Sequence, residues 1–349
     1  MIGKVGAALM TGNTVIAKPA PTTPVTTLML GEVAAEIFPA GVFQTLVDQN
    51  DLGAVLTSHP DVNYVSFTGS TATGKKVLAS TVDTMKRTTL ELGGNDAALI
   101  LDDADIKSVA ARVYQGAFLN AGQICFATKR IYVPNSMLDS LVAEMVLLAN
   151  SEKVGDGLES TTTMGPVQNK AQYDKVLAFI EQAKLTRSVV AGGQSVADGG
   201  YFIAPTIITG LADDSQLVAE EQFGPVVPIL GYDDLEAVIA RVNNSEFGLG
   251  GAIWTSDPER GISVASRIES GTVWVNTNIA LPLDVPFGGA KQSGLGQQGG
   301  IEGMKEFTQV RIVNAAAFCK VVVASAVFLS CYFHCRLLPL WVECDGADR

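Results

Sequence analysis

The 349 residues carry a formal net charge of −12, with 47% hydrophobic residues, 17% charged residues and 35 glycines. That length suits two α/β domains with substantial cores, and an acidic balance without any Lys/Arg-rich run argues against nucleic acid as a partner. The start of the chain shows no charged-then-apolar leader with a cleavage site, so a cytoplasmic address is expected.

From Thr14 to Val313 short apolar runs alternate with amphipathic ones. "TVIAKP" reads as a strand and "PVTTLMLGEVAAEI" as a helix; "GVFQTLV" with "DLGAVLTSH", and "VNYVSFTG" with "STATGKKVLAS", repeat the pair. A strand at Ala97–Leu101, an Asp-rich cap and a helix follow. Further strands are expected at "RIYVP", "PTIITG", "VVPILGY", "GAIWT" and "GTVWVN", and helices at "KAQYDKVLAFIEQAK", "LEAVIARVNN" and "ERGISVASRIES". Such alternation predicts an α/β fold with a parallel, doubly wound sheet, the architecture that takes dinucleotides at strand carboxyl ends. The boundary between two α/β domains is expected near Gly93-Gly94.

After Val313 the character changes. The uncharged run from Val321 to Cys335 is shorter than the roughly 20 residues that span a bilayer, so no membrane partner is expected. Cys331, His334, Cys335 and Cys344 lack the paired C-x-x-C spacing of a zinc site, so no metal is expected either.

Three stretches hold chemistry. In "FTGSTATGKK", Gly69 and Gly74-Lys75 are spaced as in a phosphate-binding P-loop, but Lys76 stands where that motif needs Ser or Thr. In "NAGQICFATKR", Cys125 is the lone cysteine of the body, at an element boundary where backbone N–H groups can lower a thiol pKa; taken alone, an inert core cysteine is the more usual case. The body holds one histidine, His59, without acyl-transfer context, so a general base must be sought elsewhere. Glu91 in "TLELGGND" is a candidate, since burial would raise its pKa towards the range useful for activating water; a solvent-facing strand glutamate is the alternative.

"FTGSTATG", "LELGG" and "GQICFA", in that order, resemble the aldehyde dehydrogenase superfamily. The resemblance extends through "GNTVIAKP", "EEQFGPVVPI", "NNSEFGLGGAIWT", "GTVWVN" and "PFGGAKQSG", covering about residues 3 to 313. It implies an aldehyde dehydrogenase-like fold: a partial Rossmann-type NAD(P)-binding domain over 1–93, an α/β catalytic domain over 94–286, a segment over 287–312 returning to the cofactor and oligomer region, and an atypical apolar tail over 313–349. It further implies that Cys125 attacks a small-molecule aldehyde to give a thiohemiacetal, and that water activated by Glu91 hydrolyses the resulting thioester. Lys18 matches the lysine at the adenosine ribose. Thr68, Gly69 and Ser70 match the loop that meets the pyrophosphate at a helix N-terminus. Glu221 and Phe223 match the residues around the nicotinamide ribose, and Phe287 matches a residue lining the substrate tunnel. NAD is favoured; Pro21, where many members carry a glutamate that repels a 2′-phosphate, leaves NADP open. A catalytically inactive relative that binds nucleotide or a partner chain shares the same motifs, whereas a P-loop NTPase needs the missing Ser or Thr.

Members of the family carry a P-W-N motif shortly before the point matched by the start of this chain, and its asparagine donates to the developing oxyanion. The 349 residues contain no such motif, so the chain reads as an N-terminally truncated member with an incomplete homo-oligomer interface. Loss of one oxyanion donor costs on the order of 10²–10³ in turnover. The polypeptide is accordingly expected to be weakly active or inactive, and aldehyde-dependent reduction of NAD at a rate normal for the family would refute this.

Overall fold

The computed structural model describes residues 2–185, 188–196 and 199–315; the Val321–Cys335 run and the four terminal cysteines lie outside them. The chain divides into two units. One comprises residues 2–64, 283–286 and 298–315, and the other comprises Val65–Pro282 and Phe287–Gln297.

In the first unit, α1 (Ile2–Met10), β1 (Val15–Ala17), α2 (Val25–Ile37), β2 (Phe43–Thr45) and α3 (Leu52–Ser58) follow the expected alternation. β1 and β2 pair in parallel, Val15 opposite Phe43 and Ala17 opposite Thr45. Asn13 ties the end of α1 to the returning chain by donating from Nδ2 to the Phe307 carbonyl at 3.0 Å. α2 leaves Val25, Met29, Val33 and Ile37 exposed, a stripe at four-residue spacing along one helix face.

The second unit opens with β3 (Tyr64–Thr68), α4 (Thr71–Ser80) and β4 (Arg87–Glu91), followed by β5 (Asp96–Ile100), α5 (Ile106–Phe118), β6 (Thr128–Pro134), α6 (Leu138–Ser151) and α7 (Lys170–Lys184). Then come β7 (Ser188–Ala191), β8 (Thr206–Thr209), α8 (Gln216–Ala219), β9 (Val226–Tyr232), α9 (Leu235–Asn243), β10 (Phe247–Gly248), β11 (Gly250–Trp254), α10 (Pro258–Ala265), β12 (Thr272–Val275), β13 (Ala290–Lys291) and β14 (Gly294–Leu295). The chain re-enters the first unit with α11 (Gly300–Lys305). Seven strands form one sheet in the order β12-β11-β5-β6-β9-β8-β7. Every pairing in it is parallel except the edge pair β7–β8.

The expected doubly wound sheet follows from the central strands. From Ala98 to Leu101 each residue is at most 1% exposed. Ala98 and Ile100 pack with Val109, Val113, Leu141 and Met145 of α5 and α6, while Ala97 and Leu99 pack with Val238, Val242 and Val264 of α9 and α10. Alternate side chains thus meet helices on opposite faces, which is why the run is apolar throughout rather than every second residue. Each fully buried Leu, Ile or Val in these layers contributes on the order of 1.5–3 kcal/mol. Smaller ladders join β14, β4 and β3 in that order, and β10 with β13.

The end of β5 is fastened to the start of α10 by Asp103. Its carboxylate accepts from Thr255 Oγ1 at 2.7 Å, Ser256 N at 3.1 Å, Ser256 Oγ at 2.8 Å and Asp257 N at 3.2 Å. Arg260 stands 3.2 Å away. Burial alone would raise the Asp103 pKa, but the Thr255 and Ser256 hydrogen bonds outweigh it and hold the carboxyl below its usual range. A depressed carboxylate stabilises the fold above its unfolded pKa, and that contribution disappears as pH falls through the folded one. Asp103→Asn is expected to cost about 1–3 kcal/mol in urea unfolding at neutral pH, with the gap to the parent closing as the solution is acidified below the ordinary carboxylate range.

Candidate active site

Helix α5 is started by Asp105, whose side chain accepts from Lys107 N, and it is stopped by a run of left-handed residues. Asn120 and Ala121 have φ of 54°, and Gly122 has φ of 70°. A Cβ on Gly122 would sit 2.3 Å from the Gly224 carbonyl oxygen, so both conformation and space demand glycine there. Gln123 then brackets the turn, donating from Nε2 to the carbonyls of Asn120 at 3.0 Å and Pro166 at 3.2 Å, and accepting from Gln168 N at 2.8 Å. Cys125 follows, half-buried, in a turn closed by Ala127 N donating to the Ile124 carbonyl at 3.1 Å.

Glu91 ends β4 and is 4% exposed, so it is a buried glutamate and not a solvent-facing one. Its carbonyl accepts from Gly69 N at 3.1 Å, and its strand register is set by Gly294 opposite it. The two glycines that follow explain themselves by contact. A Cβ on Gly93 would lie 2.4 Å from Glu221 Oε2, and one on Gly94 would lie 2.5 Å from the Cys125 carbonyl oxygen. Gly94 N also donates to Glu221 Oε1 at 3.1 Å. The ELGG segment therefore runs directly between the Glu221 carboxylate and the backbone of Cys125.

The loop that carries Glu221 and Phe223 is held by α7. Lys175 Nζ donates to the Glu221 carbonyl at 3.0 Å, and Gln172 Nε2 donates to the carbonyls of Gln222 at 2.7 Å and Phe223 at 3.0 Å. Phe223 takes the left-handed conformation, with φ of 50°. Buried Gln222 donates to the Lys129 carbonyl at 3.3 Å and to the Leu217 carbonyl. Beside Cys125, the Phe126 ring meets Phe287 edge-on at 5.3 Å and Trp274 at 6.1 Å. An apolar, aromatic cluster that begins at the residue after Cys125 suits the uncharged body of a small molecule.

Thr68, Gly69 and Ser70 are exposed at the N-terminus of α4. Ser70 caps the helix, its Oγ accepting from Thr73 N at 3.3 Å. Gly74 is one turn on, and a Cβ there would lie 2.4 Å from Leu92. Lys75 and Lys76 face solvent. Lys18 belongs to the other unit, where Nζ donates to Asp48 Oδ1 at 3.0 Å and Asp48 Oδ2 accepts from Leu52 N at the start of α3. Burial opposes ionisation of Asp48, but the Lys18 and Leu52 bonds prevail and keep its pKa low.

Two functional-site neighbours carry no motif. Lys129, 2% exposed, donates from Nζ to the carbonyls of Cys125 at 2.6 Å, Ile124 at 2.9 Å and Ala127 at 3.2 Å. Asp96, 4% exposed at the start of β5, lies against Gly94 and Gly250. The signal for Lys129 was a charged pair opening an apolar strand, "TKRIYVP". Burial raises the Asp96 pKa to about 7 despite Lys129. The thiol of Cys125 is pushed up to about 11, first by burial; Lys129 opposes this, while Asp96, Glu221 and Glu91 add to it. Burial and these carboxylates thus oppose any lowering that backbone N–H groups at the element boundary supply, and they favour the neutral thiol. Among the described residues no group of three or more His, Cys, Asp and Glu side chains is arranged to hold a metal ion, and no helix is long and apolar enough to cross a membrane.

The family model described as "Aldehyde dehydrogenase family" matches residues 1–313. Aldehyde dehydrogenase LUC3 of Fusarium sp is 41% identical over 89% of this chain and 67% of its own length. A betaine aldehyde dehydrogenase of Brucella anthropi is 40% identical over 88% and 64%. Among solved structures, the NAD+ complex of the Bacillus cereus aldehyde dehydrogenase superposes with a TM-score of 0.86 at 40% identity, covering 88% of this chain and 64% of that one. The Mycobacterium tuberculosis aldehyde dehydrogenase, also with NAD+, gives 0.85 at 36% identity over 88% and 64%. This chain therefore spans about two thirds of the length of the relatives it matches. On this match of sequence and fold, the chain belongs to the aldehyde dehydrogenase family.

Proposed function

We propose that this chain carries the nucleophile and base of an NAD-dependent oxidation of an aldehyde to a carboxylic acid. The observation that supports it most is the convergence of the Cys125 turn, the buried Glu91 and Glu221 on one glycine pair, Gly93-Gly94, in a member of this family. The relatives solved with NAD+ support the choice of cofactor. The residues around α4 fit its pyrophosphate: the helix is ten residues long, Ser70 caps it, and the loop before it is exposed and without a side chain at Gly69. First-turn N–H groups that a helix cannot use itself favour an anion there.

Catalysis begins when Cys125 gives its proton to solvent and the sulfur attacks the aldehyde carbon; the C–S bond of a thiohemiacetal forms as the C=O π bond breaks and its electron pair passes to the oxygen. NAD, when bound, supplies the acceptor for the hydride that leaves this carbon, and a thioester on Cys125 results. Glu91, buried at the end of β4, takes a proton from water, whose oxygen adds to the thioester carbon. Breaking the C–S bond releases the carboxylic acid and restores the sulfur. Phe126, Phe287 and Trp274 would exclude water from the side of the substrate body, favouring aliphatic or aromatic aldehydes over charged sugars or nucleotides.

Cys125→Ala is expected to abolish aldehyde-dependent NAD reduction and any single-turnover burst. Glu91→Gln is expected to keep a burst of reduced cofactor close to one per site while lowering steady turnover by about 10²–10⁴. Rapid-mixing absorbance of the reduced cofactor separates the two; a Glu91→Gln chain that turns over like the parent removes Glu91 from the mechanism. Because the thiolate is the nucleophile and the resting thiol sits at about 11, the burst rate is expected to rise with pH through the alkaline range.

A further inference from the structure

The ammonium of Lys129 has three N–H donors and spends all three on carbonyls of the turn that carries Cys125: Ile124 at 2.9 Å, Cys125 at 2.6 Å and Ala127 at 3.2 Å. A buried ammonium is expensive unless opposite charge accompanies it. Two carboxylates do so. Glu221 Oε1 is 3.8 Å from Nζ. Asp96 begins β5 opposite Thr128, the residue before Lys129 on β6. Its Oδ1 lies 2.7 Å from the point where a Cβ on Gly94 would be, and the Cys125 carbonyl lies 2.5 Å from that same point. Neither oxygen of Asp96 has a well-formed hydrogen bond; against its burial stand first the charge of Lys129, then the approach of the Gly250 backbone, then the charge of Arg130. The charged groups facing the sulfur are then Lys129 from β6, Asp96 from β5, Glu91 from β4 and Glu221 from the loop after α8.

We propose that Lys129 is a positioning residue for Cys125, clamping its turn through three carbonyls and setting, against the opposing charge of Asp96, how readily the sulfur ionises. The inference rests on the reading of Cys125 as the nucleophile. Of the four groups, Lys129 alone favours the thiolate, and Asp96 is the first of those that disfavour it. Neutralising the two must therefore have opposite effects on the thiol, whereas a merely structural role for both predicts the same effect, loosening of one turn.

The test is alkylation of Cys125 by iodoacetamide in the full 349-residue chain, quantified by mass spectrometry of the Cys125 peptide across neutral to alkaline pH. Lys129→Met is expected to move the profile to higher pH by about one unit. At a fixed pH below the pKa that slows alkylation only about three- to fourfold, because a more basic thiolate is also a better nucleophile. Asp96→Asn is expected to move the profile to lower pH and speed alkylation by a similar factor. Lys129→Arg, which keeps the charge, is expected to stay closer to the parent than Lys129→Met. Unchanged profiles, or shifts of the same sign for Lys129→Met and Asp96→Asn, overturn the proposal. Should Lys129→Met fail to fold in a thermal melt, Asp96→Asn decides alone: alkylation no faster than in the parent overturns it. Alkylation requires no turnover, so a Cys125→Ala chain that still oxidises aldehyde would defeat the functional reading while leaving this electrostatic one standing.

Discussion

The close approach of the Gly93-Gly94 backbone to the Glu221 carboxylate on one side and the Cys125 carbonyl on the other is the contact on which the site depends. At 2.4 and 2.5 Å from where Cβ atoms would be, neither position tolerates a side chain without displacing a functional group. Because the pair directly follows Glu91 and directly precedes Asn95, the same few residues fix the end of β4, the start of β5 and the depth at which the cysteine turn sits. Asn95 extends the fixture: its Nδ2 donates to the carbonyls of Val218 and Ala219, at 2.8 and 3.2 Å, holding α8 and the loop that bears Glu221. Packing at a pair of glycines thereby decides where chemistry can happen.

That arrangement creates an electrostatic problem. Glu91, Asp96 and Glu221 gather around one thiol with a single buried lysine listening to all of them through the Cys125 turn. In a medium of low polarity, each carboxylate added without a cation makes a thiolate harder to form. The resting site therefore favours the neutral thiol, a form that resists adventitious oxidation and alkylation. Raising the pH, or a cation brought near the sulfur, would favour the thiolate. The Glu221 side chain, tied to Gly94 N through one carboxylate oxygen, is the member of the trio with some exposure.

Periodicity made the large sheet legible, and it did so for a physical reason. "DAALI", "RIYVP", "VVPILGY" and "GAIWT" are apolar along their length because helices cover both faces, and a continuous apolar run of strand length between turn residues has few other solutions. α6 is less visible: "LDSLVAEMVLLANS" is apolar on more than one face, and only Leu141, Met145 and Ala149 are fully buried. Cys125 and Glu91 were found through their neighbours, since "GQIC" and "ELGG" include the glycines that let backbone approach backbone. Lys129 and Asp96 were missed because each stands next to residues whose roles are structural, and their significance lies in burial and carbonyl geometry that no spacing encodes. The environment of the thiol is hidden in the same way: position at an element boundary is local, whereas burial and the carboxylates that raise its pKa come from the packing of other elements.

The P-loop-like spacing in "FTGSTATGKK" shows how a count can be right and its meaning different. Gly69 is glycine because a Cβ would meet the Phe67 ring at 2.5 Å, and its N–H is already given to the Glu91 carbonyl. Gly74 is glycine because Leu92 of ELGG packs on the helix at that point. Both glycines of the apparent motif therefore serve contacts within the protein, and both contacts run to the segment that carries the base. Lys75 and Lys76 are exposed one turn beyond the helix start, so under the proposed reading a phosphate would meet the N–H groups of the first turn of α4 and not these lysines. The helix and the loop before it are thus tied to one segment, through the Glu91 carbonyl at Gly69 and the Leu92 side chain at Gly74.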